Sequence, residues 1–183
     1  MRNHILHRKE RAAALFIEKG KMVTVEKAGL SDLDDIKDVL RDTWIDTYSD
    51  SLSAEMVDMI SSQWHSDEML SSQIRNPSIH FSIAKDLERD ILGLATAFQE
   101  DDETAYLSRL YVLPIYQGRG IGSKLLKDAT RMFPNTTKIR LSVEEMNLKA
   151  ISFYWNRGFF KTGEKRLNID DDVIRTIEME KLL

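Results

Sequence analysis

The stretch "YVLPIYQGRGIGSKLL" (residues 111–126) places three glycines, Gly118, Gly120 and Gly122, within five positions, with Arg119 and Ile121 between them. A strand-like run precedes them and a helix-like run follows. Glycine at such a turn permits positive φ and lets backbone N–H groups approach a ligand with no Cβ in the way. At the positive end of a helix those groups form a cradle for a phosphate or pyrophosphate. Two nucleotide-binding patterns do not fit. A Walker loop needs Gly-Lys-Ser/Thr at its helix end, whereas the chain reads Gly122-Ser123-Lys124. The dinucleotide pattern G-x-G-x-x-G puts Ser123 where its last glycine belongs, and it follows the first strand of a βαβ unit.

The elements around the turn have a different order. "VTVEKA" (23–28) alternates as a strand. In "SDLDDIKDVLRDTWIDTY", Ser31 reads as an N-cap with Asp34 three residues on, and Leu33, Ile36, Leu40, Trp44 and Tyr48 follow at helical spacing. "SAEMVDMISSQW" and "SDEMLSSQI" are two shorter helical pieces, ended by Asn76-Pro77. "IHFSIAK" (79–85), "ILGLATAFQ" (91–99) and "TAYLSRLYVL" (104–113) are strand-like and separated only by short charged turns. A parallel crossover needs about a dozen residues, so these runs form an antiparallel meander. After the glycines, Ile121, Leu125, Leu126, Ala129 and Met132 share a helix face until Pro134. "KIRLSV" (138–143) is a strand, and "NLKAISFYWNRG" (147–158) is a helix with Asn147 as N-cap and Gly158 as C′. "FFKTGEKR" and "VIRTIEMEKL" make two last strands around "NIDDD". The predicted order is β-α-α-β-β-β-α-β-α-β-β, with residues 1–21 a helical N-terminal appendage and residues 22–183 a single domain.

Bulk properties narrow the function classes. A chain of 183 residues, 42% hydrophobic and 31% charged, can bury a proper core. A net charge of −4 argues against a general nucleic-acid binder. The chain has no cysteine, which removes disulfides, thiolate metal sites and any acyl-enzyme on a thiol. His4, His7, His65 and His80 are scattered without a third ligand at metal-site spacing, so no metal is expected. No apolar run approaches the roughly 18 residues of a membrane span, and the basic start lacks the apolar core of a signal peptide. The expected location is cytoplasmic.

Two blocks then carry a resemblance. "QGRGIG" (117–122) fits the Q/R-x-x-G-x-G/A pattern of the GCN5-related N-acetyltransferases (GNAT), with Gln117, Gly120 and Gly122 in place. "LSVEEMNLKAISFYWNRGF" (141–159) resembles that superfamily's second cofactor segment, matching at Asn147, Ala150, Phe153, Tyr154, Gly158 and Phe159. "DTWIDTYSDSLSAEMVDMI", Arg109 ahead of "LYVLPIYQGRGIG" and the ending "NIDDDVIRTIEMEKLL" are similar to the PaiA-like polyamine acetyltransferases. The similarity runs from about residue 22 to the C-terminus.

The resemblance implies an α/β (α+β) GNAT fold: a mixed, mostly antiparallel sheet of about seven strands, splayed between the fourth and fifth and flanked by helices. It implies acetyl transfer from acetyl-CoA to an amine, here a polyamine such as spermidine or spermine, by direct attack in a ternary complex. Gly118, Arg119, Gly120, Ile121, Gly122 and Ser123 would present N–H groups to the pyrophosphate, beside Gln117. Side chains at 120 and 122 would obstruct that approach. Leu110, Tyr111 and Val112 would hydrogen-bond the pantetheine arm and turn an N–H toward the thioester carbonyl. Tyr154 would protonate the leaving thiolate. Asn147 would fix the pantetheine or the splay, and Arg157 would reach the phosphates.

Other positions stay open at this level. Trp44, Thr47 and Tyr48 would line the acceptor side, although Trp44 serves equally as core. The glutamate that related polyamine enzymes carry on the meander strand corresponds to Ser108, which cannot act as a base. Glu100, Asp101, Asp102, Glu103, Glu144 and Glu145 lie near the expected sheet ends, Glu145 fits the family's strand-end pattern best, and no base is assigned. Acceptors other than polyamines (a peptide N-terminus, an amino acid, an antibiotic amine) and a non-catalytic acetyl-CoA-binding regulator are the alternatives. A homodimer is the default assembly.

Overall fold

The structure, a computed structural model, describes residues 22–48, 59, 62, 64–169 and 172–183. The appendage at residues 1–21 and most of the helical piece at 53–64 lie outside the described residues. The elements are β1 (Thr24–Lys27), α1 (Leu33–Tyr48), α2 (Asp67–Arg75), β2 (Ile79–Lys85), β3 (Ile91–Gln99), β4 (Thr104–Val112), α3 (Ile121–Arg131), β5 (Lys138–Glu144), α4 (Leu148–Trp155), β6 (Phe160–Ile169) and β7 (Asp172–Leu182). Among the described residues this is the predicted order, joined by 3₁₀ turns at Leu30–Asp32 and Pro114–Tyr116.

The seven strands form one sheet in the order β1-β2-β3-β4-β5-β7-β6. Charged turns of four or five residues fold β2, β3 and β4 into the expected antiparallel meander. β4 and β5 run parallel and pair only through Thr104, Ala105 and Tyr106 opposite Lys138, Ile139 and Arg140. Beyond Tyr106 the two strands diverge. The splay leaves the last half of β4 with one unpaired edge, and it opens at the end of the sheet that carries the glycine turn.

Apolar periodicity explains the two faces. Ile121, Leu125, Leu126 and Ala129 of α3 are buried with Ala105, Leu107, Ile139, Leu141, Val143, Tyr154 and Phe159 on one face. Ile36, Val39 and Leu40 of α1 and Leu70 and Ile74 of α2 are buried with Phe81, Ile83, Ile91, Leu94 and Leu113 on the other. β2 and β3 are covered on both faces, and so "ILGLATA" reads as a continuous small and apolar run.

Two local expectations change. Ser31 is not an N-cap: the Asp32 carboxylate accepts the Gly29 N–H at 2.8 Å, a 3₁₀ turn forms first, and α1 begins at Leu33. Asp32 is held there by an ion pair of 2.7 Å with the buried Lys85. Met132 falls one residue past the end of α3 and is exposed rather than part of its apolar face.

Candidate active site

The glycine turn begins where β4 ends. Gln117 folds back so that its side-chain amide donates to the Val112 carbonyl at 3.0 Å, closing the loop on the strand that precedes it. Gly118 and Gly120 take φ of 75° and 82°, where any other residue is strained. A Cβ on either would meet no protein atom within 4 Å, so both face open space. The first helical bond of α3 runs from the Lys124 N–H to the Gly120 carbonyl at 3.1 Å. The amides of Gly120 to Ser123 therefore lack intrahelical acceptors and stand at the positive end of the helix. Ile121 buries its side chain in the core and has only its backbone to offer.

Gly122 differs from its two neighbours. A Cβ there would stand 3.2 Å from two carbons of the Phe153 ring. Its small size is required by the packing of α4 on α3, so the obstruction expected at 122 comes from the protein itself.

α4 is fixed at both ends by its own sequence. The Asn147 side chain accepts the Ala150 N–H at 2.9 Å, the N-cap that its position predicts. At the other end the Gly158 N–H bonds the Trp155 carbonyl at 3.0 Å and the Phe159 N–H bonds that of Tyr154 at 3.2 Å, with Gly158 at φ 84°. This is the Schellman pattern, with Gly158 as C′. Arg157, just before it, joins the two blocks. Its guanidinium donates to the Ser123 hydroxyl and to the Phe153 carbonyl, and it stacks 3.5 Å from the centre of the Phe153 ring. Arg119 is exposed on the turn, with its guanidinium 5.6 Å from the Tyr116 ring.

α4 also carries Tyr154, which lies beside Tyr111 in the half of β4 that leaves β5. Tyr154 is 8% exposed and packs edge-on against Phe153 and Phe159 at 5.2 and 5.4 Å. Burial, with the neighbouring Tyr111 phenol, pushes the Tyr154 hydroxyl far above the ordinary tyrosine value. Burial raises Tyr111 too, opposed in part by the Arg109 charge. Both phenols stay protonated at any working pH. Leu110 and Val112 point toward the α3 face, and Tyr111 toward the α1 face.

A β-bulge aims the middle of β4. Thr96 pairs with Arg109 and Ala97 with Leu107, so Ser108 is the extra residue. Its hydroxyl lies 2.9 Å from the Thr96 hydroxyl and 3.1 Å from the Thr96 carbonyl. On the α1 side of this bulge is a cavity of about 290 Å³, lined by Trp44, Trp64, His65, Thr96, Arg109 and Tyr111 among others. Trp44 is both core and lining: it is 4% exposed and its ring lies edge-on to Trp64 and His65. Burial and the Arg109 charge push the His65 imidazole down to about 4, so it is neutral.

Among the carboxylates singled out from the sequence, Glu144 has the most telling place. Ile139, Leu141 and Val143 of β5 are buried against α3, so Glu144 alternates onto the cavity's face of the sheet. It ends β5 across the splay, four residues beyond the last β4–β5 pair, Tyr106–Arg140. Burial alone raises its carboxyl. Glu100 is committed to an ion pair with Arg140, 3.3 Å away. The lining by Trp64, His65 and Thr96 was not foreseen, because these residues come from separate elements and carry no shared spacing.

Among the described residues no cluster of histidine and carboxylate groups could hold a metal ion, and no helix is long and apolar enough to cross a membrane. Comparison with solved structures finds PaiA N-acetyltransferase from Thermoplasma acidophilum in complex with coenzyme A. It is 27% identical with a TM-score of 0.74, over 88% of this chain and 99% of that one. The ribosomal-protein-S18-alanine N-acetyltransferase of Escherichia coli, 18% identical with a TM-score of 0.66 over 88% and 94% of the two chains, shares the fold. In sequence, a spermidine N(1)-acetyltransferase of Thermoplasma acidophilum is 27% identical over 75% of this chain and 88% of its own length. A spermine/spermidine N(1)-acetyltransferase of Bacillus subtilis is 31% identical over 46% of this chain, a match spanning 59% of that relative. The acetyltransferase (GNAT) family matches residues 33–159, a span that runs from α1 through the glycine turn to the end of the α4 cap. The chain belongs to that family and is an acetyl-CoA-dependent N-acetyltransferase.

Proposed function

We propose that the enzyme acetylates a primary amine by direct attack in a ternary complex, with donor and acceptor meeting at the β4–β5 splay. Acetyl-CoA supplies an activated acetyl thioester. The turn suits such a donor: the open space over Gly118 and Gly120 and the unpaired amides of Gly120 to Ser123 accept a pyrophosphate. Arg157, tied to Ser123, adds positive charge beside that cradle. Gln117 and Asn147 act through structure, the first by closing the loop onto Val112 and the second by starting α4. The unpaired edge of Leu110 to Val112 offers backbone groups to an extended arm, as an added strand would take them.

Tyr154 carries the acid role. Its buried phenol holds a proton that the departing sulfur can take. Glu144, on the cavity's face across the splay, receives the proton that the attacking ammonium must lose, and burial, by raising its carboxyl, makes it a stronger base. The absence of cysteine supports transfer without an acyl-enzyme thiol.

Spermidine and spermine are the acceptors that the relatives' names support. The single observation that carries the reading is the splay itself, with the glycine turn at the end of β4 and the buried Tyr154 phenol beside Tyr111 of that strand. Thiol release measured with acetyl-CoA and a panel of polyamines, amino acids, peptides and aminoglycosides tests it. Intersecting lines in double-reciprocal plots are expected. Parallel lines, or no release with any amine, would overturn it.

A further inference from the structure

We propose that the cavity beside the splay is a carboxylate-binding acceptor pocket, with Arg109 as its anchor, so that the acceptor is a small amine that also carries a carboxylate. The inference rests on the acetyl-transfer reading and assigns an acceptor class different from the polyamines of the relatives' names.

Arg109 enters the cavity from the bulged part of β4, half-buried among Trp44, Trp64, His65 and Tyr111. Its guanidinium donates to the Gln73 side-chain carbonyl at 2.7 Å and to the Trp64 backbone carbonyl at 3.4 Å. Both acceptors are neutral, and no carboxylate among the described residues bonds it. A desolvated cation with neutral partners keeps most of its desolvation cost, and an anion of matching shape would offset it. The guanidinium has five N–H donors in a planar fork, and these two bonds leave donors to spare for a second oxygen pair. His65, neutral, adds no charge. One cation therefore balances one carboxylate, whereas a phosphate dianion would be left half compensated.

The cavity also has the right place. Tyr111 lines it and sits beside the Tyr154 phenol, so the pocket adjoins the acid of the reaction. Glu144 stands on the same face across the splay. A molecule with a carboxylate on Arg109 can direct its amine toward that gap. A polyamine has no group for Arg109 and meets a like charge there.

The test uses the full chain with acetyl-CoA, the twenty L-amino acids, the amide of each and spermidine. At least one free acid is expected to exceed its own amide by at least tenfold in kcat/KM. Arg109→Gln should erase that preference, the free acid losing at least tenfold more in kcat/KM than its own amide. Gln73→Glu, which sets a carboxylate against Arg109 from within, should do the same and provides a second variant should the first fail to fold. A preference for spermidine or for the amides, or an acid preference that survives both substitutions, overturns the proposal. Trp44 and Trp64 give a readout that does not need turnover. With CoA present, an acid should quench their fluorescence where its amide does not, and Arg109→Gln should remove the effect. Quenching with no acetylation of any amine would sink the acetyl-transfer reading and leave the carboxylate pocket standing. No quenching by any acid would sink the pocket.

Discussion

Phe153 of α4 closes over Gly122 of α3 so tightly that a methyl group on the glycine would stand 3.2 Å from two carbons of the ring. The two sequence blocks that suggested a shared cofactor site thus meet in a direct contact, strengthened by Arg157 stacked on the same ring and bonded to Ser123. The glycines of the turn divide by function: Gly118 and Gly120 face open space at positive φ, and Gly122 faces α4.

That division is measurable. Gly120→Ala forces a side chain into the left-handed region at a cost of about 1 kcal/mol and projects a methyl into the cradle. The expected outcome is a CoA dissociation constant raised at least tenfold, by calorimetry, with a melting temperature only a few degrees lower. Gly122→Ala should instead destabilise through Phe153. Combined with Phe153→Leu it should cost less than the sum of the two single changes, a coupling that a double-mutant cycle reads directly. Additive costs would refute the contact's importance.

The sequence made the fold legible where local rules dominate. Two turns too short for a crossover fixed the meander, and helical spacing fixed the buried face of α3. Asn147 and Gly158 gave both ends of α4, since caps depend on a few adjacent residues. The cavity was not legible. Trp64, His65, Thr96 and Arg109 meet through tertiary packing, and a bulge at Ser108 re-aims β4 in a way that no alternation pattern announces. Ser31 misled for a related reason, because Asp32 was claimed by Gly29 and by the distant Lys85. Glu144 could be placed at a sheet end from sequence, but its face required the register of β5.

Tyr154→Phe should leave the fold intact, because the ring contacts to Phe153 and Phe159 do not need the hydroxyl. On the proposed mechanism it removes the proton that the leaving sulfur takes. The expected result is a kcat at least tenfold lower, with CoA affinity within twofold of the parent enzyme. An unchanged kcat would take Tyr154 out of the mechanism.

His65 predicts an acid weakness in stability. The unfolded chain binds a proton near the ordinary value of 6.5, whereas the folded chain waits until about 4. Between those values the unfolded state holds more protons, so stability is full above pH 6.5 and falls toward pH 4. A depression of this size is worth about 3 kcal/mol once both states are protonated. Urea melts from pH 7 to 4 should show that slope, and His65→Gln should flatten it. An unaltered slope would show that other groups drive the acid loss.

Glu144→Gln should separate catalysis from stability. Burial raises the folded carboxyl above its unfolded value, so the ionised form is disfavoured in the fold. Between the unfolded and the raised folded values the folded state holds the extra proton. Stability therefore falls as pH rises through that window and stays lower above it. Removing the charge should leave the melting temperature at pH 7 equal or higher, with any gain disappearing once the pH drops below the ordinary carboxylate value. Activity should move the other way. With the proposed base gone, kcat/KM for the amine should drop at least tenfold at neutral pH, and the acidic limb of the pH–rate profile set by this carboxyl should vanish. A variant that is stabilised yet retains that acidic limb would show that Glu144 is buried near the splay without taking the proton.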